Sequence, residues 1–282
     1  MNINWFPGHM AKTQKELIER LKVIDLVFEV IDARIPFSSK INDINKLIKN
    51  KPKLLLMTKI DMCDLNETNK WIAYYEKMGY KVLGLDLKKN ININKIIKLI
   101  DDLMIEHKLK RQQKGLLKRK YRAIVLGIPN VGKSTLINRL VGKKATSVGN
   151  RPGVTKNYGW VRINDNLELL DSPGILWPKL DEEIITLNLA AMNAIKETII
   201  PIDSVGRYVL EMLIKYYPNS LMTRYDINDT NQDIDTIIEL IGRKRGALIH
   251  NEVDYDKVYN IILKDLKDGY FGGVTFDRYV SV

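Results

Sequence analysis

The sequence predicts an α/β domain, a mostly parallel sheet with helices on both faces, followed by a smaller all-helical domain. Two observations predict it. Helix-period segments and short apolar runs alternate through the first two thirds of the chain, and strand-like runs stop after about residue 184. The 282 residues, 45% hydrophobic and 28% charged, suit two globular domains. We place them at residues 1–180 and 181–282.

In chain order, Leu17, Ile18 and Leu21 share one helical face within 11–23, and LVFEVI from Leu26 reads as a buried strand. A helical segment at 44–48, strand KLLLM at 53–57, a helix over 67–78, strand YKVLGL at 80–85 and a helix over 94–107 repeat the alternation. KLKRQQKGLLKRKYR, 108–122, holds eight Lys or Arg and no acid, and reads as a basic connector. Strand RAIVLG at 122–127 follows, then a Gly-rich loop, a helix and two strand-like stretches, GWVRI and LELLD. The sheet therefore resumes after the connector, and both halves belong to one domain. Helical patterns then cover 184–197, 203–216, 233–242 and 254–268. In the last, Asp254 can cap the start, Val258, Ile261, Ile262 and Leu266 form the stripe, and Gly269 can end it.

Forty-five basic against 34 acidic residues leave a net charge of +11, which suits a polyanionic partner such as RNA. Cys63 is the only cysteine, so no intrachain disulfide is possible and a reducing cytoplasm is the expected home. No apolar run approaches the roughly 20 residues of a membrane span, so no membrane partner is expected.

Three motifs carry chemistry. GIPNVGKS, Gly127 to Ser134, fits the phosphate-loop pattern between an apolar strand and a helix. There the backbone of Asn130, Val131, Gly132, Lys133, Ser134 and Thr135 would surround phosphate oxygens. Lys133 would reach the β and γ phosphates, and the Ser134 hydroxyl would hold Mg²⁺. LELLDSPG puts Asp171 at a strand end, where D-x-x-G anchors the metal shell and presents the Gly174 N–H to the γ-phosphate. Between them lies GNRPGVTK, whose Thr155 is the natural hydroxyl to close on Mg²⁺; a plain loop threonine is the alternative. TKID, Thr58 to Asp61, follows a strand. Asp61 can accept from guanine N1–H and the 2-amino group, a donor pair adenine lacks, and the Lys59 stem can lie along the base. The three together point to GTP rather than ATP. The guanine-reading motif precedes the phosphate loop, so the motif order is circularly permuted, which a sheet tolerates when its termini lie close together.

WFPGHMAK, DARIP at 32–36, TKID, GIPNVGKST, RPGVT and DSPGI, with a helical C-terminal domain, resemble the circularly permuted GTPases, most closely the bacterial ribosome biogenesis GTPase A family. The resemblance spans nearly the whole chain. It implies GTP hydrolysis on the large (50S) ribosomal subunit late in its assembly, with 23S rRNA and ribosomal proteins as partners. Two departures stand out. Thr58 replaces the family's usual Asn, and the loop that meets the guanine carbonyl offers Asp86-Leu87-Lys88 where small residues are usual.

After D-x-x-G many GTPases carry a glutamine that orients the attacking water, but here Ile175 follows, which can neither donate nor accept. The resemblance supplies two candidates: K⁺ held partly by Asn130, and the N-terminal His9, proposed in this family to act on the water. A neutral imidazole can accept a proton and orient water; packing or a ribosome contact is the alternative for His9. His107 and His250 belong to no constellation. The connector and RKR at 243–245 are the expected rRNA contacts, and Tyr216, Tyr217 and Tyr225 are candidate base stackers. The sequence leaves a GTPase triggered by the subunit as the main reading and a GTP-switched rRNA-binding module whose hydrolysis is incidental as its rival; a third, an ATPase, would require TKID to be accidental.

Overall fold

A computed structural model describes residues 8–41, 44–48, 51–116, 119–142, 158–174, 183–195 and 200–280, with side chains from Lys15 onward. His9, in the first turn of helix α1 (Gly8–Leu21), has its side chain outside this set, and Thr155 and Ile175 lie outside it altogether.

Six strands form one sheet: β1 (Leu26–Asp32), β2 (Lys53–Thr58), β3 (Lys81–Leu85), β4 (Tyr121–Leu126), β5 (Gly159–Arg162) and β6 (Leu167–Asp171), in spatial order β3-β2-β1-β4-β6-β5. All neighbours run parallel except β5 with β6. β1 is buried at every position because both of its faces are covered, which explains its unbroken apolar run. It pairs with β2 on one side and β4 on the other, so the halves flanking the basic segment close into a single sheet. The carboxyl ends of β2 and β4, carrying TKID and the phosphate loop, flank the carboxyl end of β1.

Helices α2 (Ile44–Ile48), α3 (Leu65–Lys77), α4 (Ile93–Leu103) and α6 (Lys133–Val141) cover the sheet. The connector is half helix. α5 (Ile105–Gln113) continues from α4 after a break at Met104, because Lys, Arg, Gln and Leu are good helix formers whatever their charge. α5 buries none of its residues. Beyond it, Arg119 makes a bidentate pair with Asp25 at 2.6 and 2.8 Å, and Lys120 and Arg122 reach Glu168. Part of the connector's charge is thus spent within the chain.

The helical region comprises α7 (Glu183–Ala191), α8 (Ile202–Tyr216), α9 (Pro218–Tyr225), α10 (Ile234–Arg245) and α11 (Tyr255–Asp268), with a two-strand ladder of β7 (Leu248–Ile249) and β8 (Glu252–Val253). Asp254 caps α11 by accepting the Lys257 N–H, and Gly269 ends it in the left-handed conformation, as its sequence predicts. α9 escapes the periodicity reading, although Pro218 in its first turn is a start signal.

The segment after α11 returns to the sheet domain. Val274 N–H donates to Met62 O and Phe276 N–H to Arg34 O. The buried Asp277 accepts from Phe37 N, Ser38 N, Ser38 Oγ and Asn188 Nδ2 at 2.6–2.8 Å, and its carbonyl takes the Trp71 Nε1–H at 2.9 Å. One apolar cluster runs from Phe28 and Val125 in the sheet to Ile262 and Phe276. Among the described residues, no helix is long and apolar enough to cross a membrane.

Candidate active site

Phosphate loop, D-x-x-G and TKID lie at the carboxyl ends of the parallel strands β4, β6 and β2. Gly132, at φ +94°, is the residue before α6, and its left-handed backbone aims the helix N-terminus into the loop. Lys133 is buried, with Nζ 3.1 Å from Gly127 O and 2.8 Å from Ile128 O. Burial pulls its ammonium down to about 8, and Asp171 opposes that shift. The lysine is a cation held by loop carbonyls at the place where phosphate oxygens would be cradled.

Asp171 ends β6 and is buried, and burial raises its carboxyl above the ordinary range against the pull of Lys133 and Ser134. Its Oδ2 accepts from Ser134 Oγ at 3.4 Å, while its Oδ1 is buried with no hydrogen-bond partner among the described residues. A buried carboxylate oxygen without a donor, beside a hydroxyl and a phosphate loop, fits a hard divalent cation that completes its shell with phosphate and water. Ser134 and Asp171 would hold Mg²⁺ there, and the metal would neutralise phosphate charge. Gly174 explains itself by close approach: a Cβ there would lie 2.8 Å from Pro129, so D-x-x-G rests directly on the phosphate loop.

On the guanine side, Thr58 is fully buried, with Oγ1 2.6 Å from Val131 O and 3.1 Å from Ile31 O. A hydroxyl has one proton, and the shorter contact ties β2 to the phosphate loop. The departure from Asn therefore keeps a side-chain donor at this joint. Lys59 adopts a left-handed conformation, φ 60°, and its Nζ donates to Asp32 Oδ2 at 2.7 Å and to Asn130 O at 2.9 Å. Asn130 is also left-handed, φ 61°, and its Nδ2 donates to Asn193 O, just past α7, at 2.5 Å. Asp61 pairs with Lys88 at 3.3 Å.

In the 86–88 loop the buried Asp86 carboxylate accepts the N–H groups of Lys88 and Lys89 at 2.8 and 2.9 Å, so it shapes its own turn. Leu87 is buried against the Gly132 position, 3.2 Å from where a Cβ would stand. Val131 is buried in the core, and Thr135 lies in the first turn of α6.

Residues 122–243 match the model of a family described as 50S ribosome-binding GTPase. Over 279 residues, 99% of this chain and 99% of the relative, the sequence is 43% identical to ribosome biogenesis GTPase A of Bacillus licheniformis. The same identity holds for the protein of that name from Priestia megaterium, covering 98% of this chain and 97% of the relative. The chain belongs to the ribosome biogenesis GTPase A family. It is a GTP hydrolase of ribosome assembly with a phosphate-loop GTPase domain and a helical C-terminal region. The crystal structure of GNP-bound YlqF from Thermotoga maritima shares the fold, at a TM-score of 0.65 over 95% of this chain and 98% of that one, with 23% identity.

Asp32 and Arg34 escaped the sequence reading as site residues, although DARIP entered the resemblance. The available signal was an acid at the end of an apolar strand that neighbours TKID. Of the candidate base stackers, Tyr225 is buried with its hydroxyl on Asp265 at 3.0 Å, and the Tyr217 hydroxyl is engaged by Asp64 and Thr275. In RKR, Lys244 pairs with Asp226 and Arg245 donates to Arg224 O.

Proposed function

We propose that this GTPase binds the large (50S) ribosomal subunit at a late step of its assembly in the cytoplasm and hydrolyses GTP to GDP and phosphate on that contact. The observation that carries the reading is an imbalance within the site. Lys133, Ser134 and Asp171, whose Oδ1 has no hydrogen-bond partner among the described residues, are proposed to form the metal and phosphate side, whereas Ile175 follows Gly174 where a water-orienting glutamine would stand. A site equipped to bind but lacking that in-chain group suits activation by its partner.

Two groups are proposed to complete it, His9 acting on the water and K⁺ held partly by Asn130. The Asn130 amide nitrogen donates to Asn193 O, and the amide oxygen is the end proposed to meet the cation. Thr155 is proposed to join Ser134 on Mg²⁺. Asp61 and Lys59, with the backbone at Asp86 and Leu87, are proposed to read guanine, and the exposed Lys108, Lys110 and Lys114 of the connector to contact 23S rRNA. The helical region, residues 181–282, is proposed as the part that docks on rRNA and ribosomal proteins.

Multiple-turnover GTP hydrolysis with and without large subunits, in K⁺ and in Na⁺, for wild type and His9→Ala, tests the reading. Subunits should stimulate turnover, and His9→Ala should lose about 10²-fold or more of the stimulated rate. Full stimulated turnover in His9→Ala rejects the role of His9, and equal rates in Na⁺ and K⁺ reject that of Asn130. Ile175 also favours a second reading, GTP-switched rRNA binding with incidental hydrolysis. GTP-dependent retention on subunits without stimulated turnover would select it.

A further inference from the structure

The end of β1 buries charge beside the nucleotide loops. Asp32 Oδ1 accepts from Arg34 N and Arg34 Nε, each at 3.0 Å, and Oδ2 accepts from Arg34 Nη2 at 2.9 Å and Lys59 Nζ at 2.7 Å. The Arg34 and Asp32 side chains are 3% and 2% exposed. Burial alone would raise the Asp32 carboxyl, but Arg34 and Lys59 outweigh it and hold the group far below the ordinary carboxylate range. One carboxylate thus faces two cations, of which Arg34 is buried with it while Lys59 is 26% exposed, and burying the Arg34–Asp32 pair costs several kcal/mol per ion unless it is compensated.

Part of the compensation comes from the helical region. Arg34 Nη1 lies 3.5 Å from Leu266 O, in the last turn of α11, where the helix carries its partial negative charge. Phe276 N–H donates to Arg34 O at 2.8 Å. The same residue therefore touches the partner of Lys59 and the end of α11. On its other side Lys59 grips Asn130 O, and with it the phosphate loop.

We propose that Arg34 is a positioning residue for nucleotide binding: through Asp32 it fixes Lys59 against the phosphate loop, and through Leu266 O it makes that fixation depend on the docking of α11. With the guanidinium removed, Asp32 keeps the residue-34 N–H on Oδ1 but faces Lys59 as the one remaining cation of the cluster, and Lys59 is drawn off Asn130 O. The inference rests on Lys59 belonging to the nucleotide site and not on the ribosome, so it is tested on the full chain alone.

The test is a double-mutant cycle on GDP affinity with Arg34→Ala, Lys59→Ala and the pair, read by a fluorescent guanine nucleotide after urea unfolding has confirmed that each variant folds. Arg34→Ala should weaken GDP about tenfold in the wild-type background and less than about twofold beside Lys59→Ala. Equal weakening in both backgrounds, or none in either, overturns the proposal. Lys59→Ala without effect overturns both the site assignment and the proposal. If Arg34→Ala does not fold, Arg34→Lys, which keeps charge but not the fork, takes its place with the same expected pattern. Reciprocity supplies a second readout: GDP should slow hydrogen exchange in the last turn of α11 in wild type and not in the Arg34 variant. Unchanged protection in wild type refutes the link to α11.

Discussion

Thr58→Val removes one atom from the joint between the guanine motif and the phosphate loop. Valine keeps the shape, and because the site is wholly buried no water replaces the lost donor. The Val131 carbonyl then loses the 2.6 Å contact from Oγ1. A net hydrogen bond is worth about 1 kcal/mol, and an orphaned buried acceptor costs about 1–3 kcal/mol. That penalty divides between two measurements. What the free protein pays appears in urea unfolding, and what is paid on ordering the loop around nucleotide appears in the GDP Kd, where 1–3 kcal/mol is about 5–150-fold. Together the two losses should amount to about 1–3 kcal/mol. Thr58→Ser, which keeps the hydroxyl, should bind GDP within about twofold of wild type. A Thr58→Val protein within about twofold in Kd and about 0.5 kcal/mol in unfolding refutes the argument that this hydroxyl braces the loop.

Nucleotide affinity should fall as pH rises through about 8, because the folded, nucleotide-free Lys133 loses its proton there and phosphate binds its charged form. Above that pH, GDP titration calorimetry in buffers of different ionisation enthalpy should show proton uptake, and Lys133→Met should abolish both the uptake and GTP hydrolysis. Gly174→Ala forces a methyl to 2.8 Å from Pro129 and should cost about 1–3 kcal/mol of overpacking, seen as at least about a fivefold loss in GTP turnover; an unchanged rate contradicts the contact. Asp277→Ala strands four donors and should lower unfolding stability by about 2–4 kcal/mol in urea, whereas a surface aspartate such as Asp165 changed to Ala should cost less than about 0.5 kcal/mol.

The chemistry was legible where it is local in sequence. Strand, Gly-rich loop and helix announce Lys133 and Ser134, and the capping of α11 could be read at both ends because caps are made by neighbours in the chain. The connector misled because charge without acids was taken as a linker, while helix propensity ignores sign. Arg34 and Asp277 were silent for a different reason: their partners lie more than two hundred residues away, at Leu266 and at Phe37 and Ser38, and no local pattern encodes such a pairing. Thr58 read only as a departure from the family's usual Asn, because its acceptor, Val131 O, belongs to a loop that comes 73 residues later.

The return of residues 274–277 onto the sheet also sets an order of events during synthesis. Phe37 and Ser38 leave the exit tunnel about 240 residues before the aspartate that accepts their N–H groups, which at roughly 5–20 residues per second is an interval on the order of ten to fifty seconds. Through that interval Phe37, Ser38 and Trp71 lack the acceptors that Asp277 supplies in the folded protein. The loop after β1 therefore gains its last hydrogen bonds only once the segment beyond α11 has been made and has folded back onto the sheet.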